Sequence, residues 1–463
     1  MNKLRKIYHA LPYPVRNVIG GLYGSLPQKI KYGPEYAKMY KLLNESANWS
    51  QDEIHDYQIR QLRNLLIHAH ETTRFYNRQF NEAGFNPYKF NNLDDLSLIP
   101  TIDKEVIRNN LLDMLSDKFS NRQRFQITTG GTTGRQLIFY AQKRLTIPRE
   151  KAMYDYLWGE VGYIPGKSEM VVLRNNVLPD NKLWRYEKKN RSLVLDPFHM
   201  TDEVCHKFIN KLNKEKIPFF HVYPSSILML AEYMNRTGDR LTYKPLAIFA
   251  TSENLYKGQR EIIENAFGCR MYMSYGHSEM CSLANGCALE DHYHIEELYG
   301  YTELLDKNRD VINDSGIMGE ITATGFNNYV LPLIRYRTAD YASYEECVKT
   351  KCGFKGRILK DIEGRWLQEM LVTSQGNKIS MTAINFHSDV FDRVKYYQFY
   401  QNTPGLVTMR IVKGKDYTID DEVAIKSAVQ SKLGEYLKMD IQYVNEVRRA
   451  ASGKYRYIIS ELD

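Results

Sequence analysis

Gln126-Ile127-Thr128-Thr129-Gly130-Gly131-Thr132-Thr133-Gly134-Arg135 crowds hydroxyls and glycines into one short stretch and runs on into the apolar Leu137-Ile138-Phe139-Tyr140. Glycines let backbone N–H groups approach anionic oxygens, threonine hydroxyls add donors, and φ freedom lets such a run form an anion-binding concavity. The stretch therefore suits the phosphates of a nucleoside triphosphate. It does not end in Gly-Lys-Ser or Gly-Lys-Thr, and the residues after it read as a strand rather than a phosphate-facing helix, so a P-loop NTPase is excluded. Taken alone, the same residues also make a Thr/Gly-rich hairpin that binds nothing.

Outward from this stretch the chain alternates. Between Arg124 and about Arg365, the strand-like runs Met170-Val171-Val172-Leu173, Phe219-Phe220-His221-Val222 and Leu246-Ala247-Ile248-Phe249 alternate with helical stretches. Those stretches lie around Glu203 to Leu212, Ser226 to Asn235 and Gln259 to Phe267, and the alternation predicts an α/β body with substantial parallel sheet. Before it, apolar residues at helical spacing from about Asp52 to Phe80, including Ile59, Leu62, Leu65, Leu66 and Ala69, predict an amphipathic helix. From roughly Trp366, strand signals at Val394 to Tyr400 and Leu406 to Val412, a helix from Asp420 to Leu437 and further strands predict a compact α+β unit. No internal repeat or low-complexity tract is evident.

Four further motifs come in order. Ser274-Tyr275-Gly276-His277-Ser278-Glu279 joins an aromatic, a glycine and a carboxylate just after an apolar stretch; Leu333-Ile334-Arg335-Tyr336-Arg337-Thr338-Ala339-Asp340 sets cations beside a carboxylate. Gly364-Arg365 lies just past Asp361, and Ala451-Ser452-Gly453-Lys454-Tyr455-Arg456 comes near the C-terminus. In this order and spacing the chain resembles the adenylate-forming ligases, and among them the phenylacetate–CoA ligase and CapK branch found in aromatic acid activation and capsule biosynthesis. The resemblance extends over nearly the whole chain, taking in Leu62 to Tyr76, Leu98-Ile99-Pro100 leading to Lys104, Phe198-His199-Met200-Thr201, and His221-Val222-Tyr223-Pro224-Ser225-Ser226. It implies an α/β adenylate-forming fold: a large α/β N-terminal domain and a small mobile α+β C-terminal domain, hinged just after Gly364-Arg365. The expected divisions are a basic segment at 1–50, a nucleotide- and acid-binding domain at 51–365 and the C-terminal domain at 366–463.

The resemblance also implies roles. Thr128, Thr129, Gly130, Gly131, Thr132, Thr133 and Gly134 would hold the β- and γ-phosphates of ATP, with Arg135 where many relatives carry lysine, a change that keeps charge but alters its geometry. Within Tyr275, Gly276, His277 and Ser278, the tyrosine would stack on adenine. Glu279 would help hold Mg²⁺, a hard cation that commonly takes one or two carboxylates beside phosphates. Asp340 would accept hydrogen bonds from the ribose hydroxyls, and Arg365 would close over the same sugar and phosphate. Lys454 matches the C-terminal lysine that reaches the acyl-phosphate bond, although a lysine in a turn is otherwise simply solvated. The acid would sit near His221, Tyr223, Pro224 and Ser225 with Thr251-Ser252-Glu253, where strand ends open onto a crevice; Ser252 and Glu253 would also border the nucleotide. Ala339 departs from the usual glycine before the aspartate, and Glu369 stands near a hinge aspartate with one residue of insertion.

The chain has 463 residues, 43% of them hydrophobic, enough for a large core in two or three domains. No apolar run approaches a membrane span and no secretory leader is evident, so a cytoplasmic location is expected. The net charge of +8 is concentrated at one end: Lys3, Arg5, Lys6, Arg16, Lys29, Lys31, Lys38 and Lys41 face only Glu35 and Glu45 in the first fifty residues. With Leu4, Ile7, Leu11, Val15 and Ile19 among them, this end reads either as peripheral contact with an anionic membrane or as a solvated arm folded onto the domain; Pro12 and Pro14 prevent one continuous amphipathic helix. No nucleic-acid-binding motif accompanies the charge. The six cysteines are scattered, not a disulfide framework. Cys281, Cys287, His292 and His294 lie close together, with Cys347 and Cys352 later. They read either as a structural zinc set, drawn from Cys281, Cys287, His294 and Cys352, or as thiols and histidines satisfied by the fold.

Two function classes are consistent with these features. The first is an enzyme in which ATP and a carboxylic acid give an acyl-adenylate and pyrophosphate, after which coenzyme A, or alternatively an amine or hydroxyl of a sugar in surface polysaccharide synthesis, displaces AMP. The second is a non-catalytic nucleotide-binding partner in polysaccharide assembly, supported by the basic N-terminus and Ala339.

Overall fold

Prolines open the first helices instead of breaking them. Pro14 falls in the first turn of α1 (Tyr13–Ser25) and Pro34 begins α3 (Pro34–Ser46), positions where the missing N–H has no helical partner to lose; α2 is Gln28–Tyr32. The computed structural model describes residues 12–462 apart from 130–136, 175, 177, 179–181, 254, 256–257, 347–350, 365–369, 377, 381–383, 385–388, 435 and 449–456. The three helices are folded onto the body: Arg149 pairs with Glu35 at 2.9 Å, the Tyr36 hydroxyl donates to Asp155 at 2.9 Å, and Lys188 N donates to Asn17 at 3.2 Å.

The helix expected from Asp52 to Phe80 is two. A capping box between Ser50 and Glu53 starts α4 (Gln51–Thr72), and Thr73, in extended backbone, caps α5 (Arg74–Glu82) by accepting from Tyr76 N. Side-chain capping outweighs the continuous apolar spacing there. Asp103 caps the short α6 (Lys104–Asn110). The threonine-rich stretch bridges an antiparallel hairpin, β1 (Arg124–Thr129) and β2 (Leu137–Gln142), with Thr129 opposite Leu137, as the strand-like run after it predicts. Helix α7 (Thr146–Gly159) comes after the hairpin.

Next come β3 (Met170–Leu173), β4 (Trp184–Glu187), β5 (Ser192–Leu195), α8 (Asp202–Glu215), β6 (Phe219–Val222), α9 (Pro224–Thr237), β7 (Ala247–Thr251), α10 (Gln259–Phe267) and β8 (Met271–Gly276). The strands β5-β3-β6-β7-β8 pair in parallel, with helices α8, α9 and α10 joining β5, β6, β7 and β8, and their interiors are apolar because both faces are covered.

The parallel order stops at β8, a departure from the α/β alternation expected up to about Arg365. Strands β9 (Leu283–Gly286), β10 (Tyr293–Ile295), β11 (Gly300–Leu305), β12 (Val311–Ile312), β13 (Gly319–Gly325), β14 (Tyr336–Glu345) and β15 (Ile358–Glu363) extend the sheet with antiparallel pairs. No described helix separates them, and short connections can join only antiparallel neighbours. Among the described residues the sheet holds 13 strands, in the order β12-β11-β13-β14-β15-β10-β9-β8-β7-β6-β3-β5-β4.

The C-terminal portion is an α+β unit of β16 (Met370–Val372), β17 (Lys378–Ser380), β18 (Val394–Thr403), β19 (Leu406–Lys413), α11 (Ile419–Leu433), β20 (Lys438–Tyr443) and β21 (Ile458–Ser460). Helix α11 stops short of the expected Leu437 because Gly434, at φ +69°, turns the chain. The core of this unit includes Phe198 and Tyr223 of the large body.

Candidate active site

A cavity of about 860 Å³ opens where the parallel strands end. Its wall brings together Tyr275, Gly276, His277, Ser278 and Glu279 at and just past the end of β8, Thr251, Ser252 and Glu253 at and past the end of β7, His221 and Tyr223 at β6, and Asp340 of β14, with Gly364 beyond β15. Carboxyl ends of parallel strands are where ligands bind in open α/β sheets. Three separated sequence motifs therefore share one space.

At one end stands Glu279, which is buried. Its Oε1 accepts from the Tyr336 hydroxyl at 2.7 Å and lies 3.3 Å from Lys104 Nζ; its Oε2 lies 3.3 Å from His277 Nδ1. Burial alone would raise this carboxyl, but Lys104, His277 and Tyr336 together hold it well below the usual carboxylate range, so it stays charged. The Tyr275 hydroxyl donates to Asp340 Oδ2 at 3.2 Å, and burial, then Asp340, pushes that phenol well above its usual value. Asp340 is aimed by its own strand and the neighbouring one: Glu320 Oε1 of β13 accepts from Ala339 N at 2.9 Å, and Asp340 N donates to Thr338 Oγ1 at 3.1 Å. Ala339 adopts φ +59°, a left-handed conformation that glycine would take with less strain.

The loop carrying Glu279 rests on two glycines that sequence reading passed over. Gly300 of β11 pairs with Gly325 of β13, and the 280–281 backbone crosses that pair so closely that a Cβ at 300 would stand 2.1 Å from the Cys281 carbonyl oxygen. Any side chain at Gly300 would force the Cys281 backbone, two residues past Glu279, to shift. The two arginines beside Asp340 do not face the cavity. Arg335 is buried and forked onto Glu303, with Nε to Oε2 at 3.2 Å and Nη2 to Oε1 at 3.1 Å, and Arg337 pairs with Glu320 at 2.7 Å. They hold strands together.

At the other end the wall is aromatic, with Trp158 stacked on Phe249 at 4.7 Å between ring centroids. Arg174, the first polar residue after β3, stacks over the Tyr223 ring at 4.9 Å with Nη1 3.3 Å from His221 Nε2. Burial, with Arg174 and Lys151 nearby, keeps the His221 imidazole well below its usual value and neutral. Lys31 and Tyr32 of the N-terminal segment complete this wall. A polar residue just beyond a wholly apolar strand was the signal that could have found Arg174. Trp158, distant in sequence, gave none. Glu150, on α7, also lines the cavity and accepts from the Tyr299 hydroxyl at 3.3 Å; burial pushes its carboxyl up to about 7.

Other expected residues are set elsewhere. Pro224 is the first residue of α9, and Ser225 donates through N and Oγ to Glu253 at 2.8 and 3.1 Å, so these two join strand end to helix start off the cavity wall. Thr128 lies on β1, also off the wall. Gly130, Gly131, Thr132, Thr133, Gly134, Arg135, Cys347, Arg365, Glu369 and Lys454 lie outside the described residues.

The expected thiol and imidazole set needs one exchange. Cys281 is packed in the core beneath α4, with its Sγ donating to the Glu279 carbonyl at 3.4 Å, whereas His292 joins Cys287, His294 and Cys352 in a separate cluster. Strand alternation did not disclose this, because both histidines flank Tyr293 and reach the same point only where β10 begins.

Comparison with known proteins agrees with this architecture. Residues 371–461 match the model of the CapK C-terminal domain. Protein CapK of Staphylococcus aureus is 25% identical over 468 residues, covering 99% of this chain and 100% of that protein. The phenylacetate–coenzyme A ligase of Pseudomonas putida is 25% identical over 315 residues, 65% of this chain and 68% of the relative. A crystal structure of 2-hydroxyisobutyryl-CoA ligase, in complex with 2-HIB-AMP and CoA, superposes with a TM-score of 0.56 at 19% identity, covering 89% of this chain and 91% of that one, a likeness of fold. The chain thus has the fold of the adenylate-forming ligases, and it is similar over nearly its whole length to CapK and over about two thirds of it to the phenylacetate–coenzyme A ligases.

Proposed function

We propose that the cavity activates a carboxylic acid with ATP and passes the acyl group to an acceptor. The observation that carries this is the single space lined by Tyr275, Glu279 and Asp340 at one end and by Arg174, His221 and Trp158 at the other. A carboxylate oxygen of the acid attacks the α-phosphorus, the bond to pyrophosphate breaks, and the acceptor later attacks the acyl carbonyl and expels AMP. Holding both reactants in line supplies much of the acceleration. Asp340 receives the ribose hydroxyls and Tyr275 the adenine. Gly130 to Gly134 and Arg135 take the outer phosphates, and Arg365 and Lys454 neutralise charge at the reacting phosphate.

Mg²⁺ would neutralise the departing pyrophosphate, and Glu279 is the residue proposed to hold it. Both Glu279 oxygens already face donors, so an ion there must replace Lys104 or His277. The acid is proposed to have an apolar body, for Trp158 and Phe249, and a polar or anionic group for Arg174. Among the described residues, Arg174 has no carboxylate partner.

Coenzyme A is the first proposed acceptor. One observation favours a sugar hydroxyl or amine as the second: the Glu150 carboxyl, pushed up to about 7 and lining the cavity, is matched to removing a proton near neutral pH. A screen of acids against coenzyme A and sugar acceptors, reading AMP and acylated product together, tests both. AMP formation that depends on an added acid supports activation, and the acceptor that yields product names the second step. ATP binding without turnover across a broad panel would restore the non-catalytic reading.

No described helix is long and apolar enough to cross a membrane. Val18, Leu22 and Ile30 are each at least 60% exposed on α1 and α2, close to Arg16 and Lys29, and support contact with an anionic membrane surface. Co-sedimentation with anionic but not neutral vesicles is the expected result.

A further inference from the structure

We propose that Cys287, His292, His294 and Cys352 form a closed zinc site that staples the β9–β10 hairpin to the β14–β15 connection. His292 Nε2 and His294 Nε2 stand 3.3 Å apart, and Cys352 Sγ lies 3.5 and 3.4 Å from them. These three separations are nearly equal. A tetrahedral ion with Zn–N near 2.0 Å and Zn–S near 2.3 Å sets its ligands about 3.3–3.8 Å apart, so the three atoms form one face of such a tetrahedron. The fourth donor, Cys287 Sγ, lies within 4.8 Å of all of them.

The surroundings suit a metal-bound thiolate. The turn after β9 closes with Cys287 N donating to the His292 carbonyl at 2.9 Å, and Leu289 N donates to Cys287 Sγ at 3.3 Å. An N–H aimed at sulfur stabilises negative charge there, as outer hydrogen bonds do for metal ligands generally. The His294 ring is fixed by stacking on Phe354, 4.0 Å between centroids and 7° from parallel. Two soft thiolates and two imidazoles in tetrahedral array select zinc over the harder divalent cations. Four protein ligands leave no open position, so the ion would be structural.

Its place in the fold says what it would stabilise. β10 pairs with β15 through Tyr293 with Leu359 and His294 with Ile358, and Ile295 N donates to the Arg357 carbonyl at 3.0 Å, a short ladder. β15 runs on to Gly364 at the cavity, and β14 carries Asp340. A slip of one residue would turn alternate side chains to the wrong face. An ion bridging β9, β10 and the β14–β15 connection pins that register from the end of β9 remote from Gly276, which pairs with Leu283.

The test uses the full chain purified without chelator. Elemental analysis is expected to give about one zinc per chain, and a mercurial that blocks thiols is expected to release it into a colorimetric chelator. Cobalt(II) added to the reduced, zinc-depleted chain should give the intense visible bands of a tetrahedral thiolate site. His292→Ala and Cys352→Ser should each weaken zinc binding by at least about 100-fold, whereas Cys281→Ala should retain the ion. If either ligand variant fails to fold, the cobalt spectrum of the unaltered chain decides. No zinc as purified together with no cobalt–thiolate band would overturn the proposal. So would a non-reduced mass lacking two hydrogens, which would mark a disulfide instead.

Discussion

In the parallel half of the large sheet, strand interiors are apolar and polar groups gather just past the carboxyl ends: Arg174 after β3, Tyr223 after β6, Ser252 and Glu253 after β7, His277 and Glu279 after β8. In the antiparallel half, charge lies within the strands. Glu303 of β11 and Glu320 of β13 are buried, paired with Arg335 at the edge of β14 and with Arg337 within it. Crossover helices cover both faces of a parallel sheet and leave only the strand ends for chemistry, whereas hairpin neighbours can set opposite charges side by side. One half supplies most of the cavity wall, and the other holds Asp340 and the Glu279 loop in place.

The sharpest way to break this contrast is Arg335→Ala. It leaves Glu303 buried and unpaired, and should cost about 3–5 kcal/mol in chemical unfolding, while joint replacement of both partners by apolar residues should recover much of that loss. A change below about 1 kcal/mol would show that the antiparallel half is not held by this pair. On the other side, Glu279→Gln should lower acid-dependent pyrophosphate release about 100–1000-fold, the scale of losing one preorganised charge contact. Unchanged turnover would remove Glu279 from the chemistry.

Glu150 probes the cavity through pH. Its folded value near 7 exceeds the unfolded value of 4.5, so the stability it contributes is complete below about 4.5 and is lost as pH rises through about 7. The carboxylate that could accept a proton appears over the same range, so acyl transfer to a hydroxyl or amine should rise through about pH 7. Glu150→Gln should flatten both profiles. A transfer profile unaltered by that change would exclude it as the base. The smallest effect expected is in Ala339→Gly. Relief of the left-handed backbone should add no more than about 1 kcal/mol of stability, read as a small rise in unfolding midpoint with turnover retained.

The sequence alone determined the strands Met170–Leu173 and Phe219–Val222, the helix Gln259–Phe267 and the α+β C-terminal unit, because local periodicity and capping act over a few residues. It also singled out Tyr275, Glu279 and Asp340, whose motifs are compact. Tertiary structure decided what those residues touch. Tyr336 and Lys104 reach Glu279 from distant segments, Gly300 and Gly325 admit the backbone that carries it, and His292 displaces Cys281 from the thiol cluster. The antiparallel turn of the sheet after β8 belongs there too. Burial, ion pairing and close backbone approach depend on which distant strands become neighbours, and no local spacing encodes that.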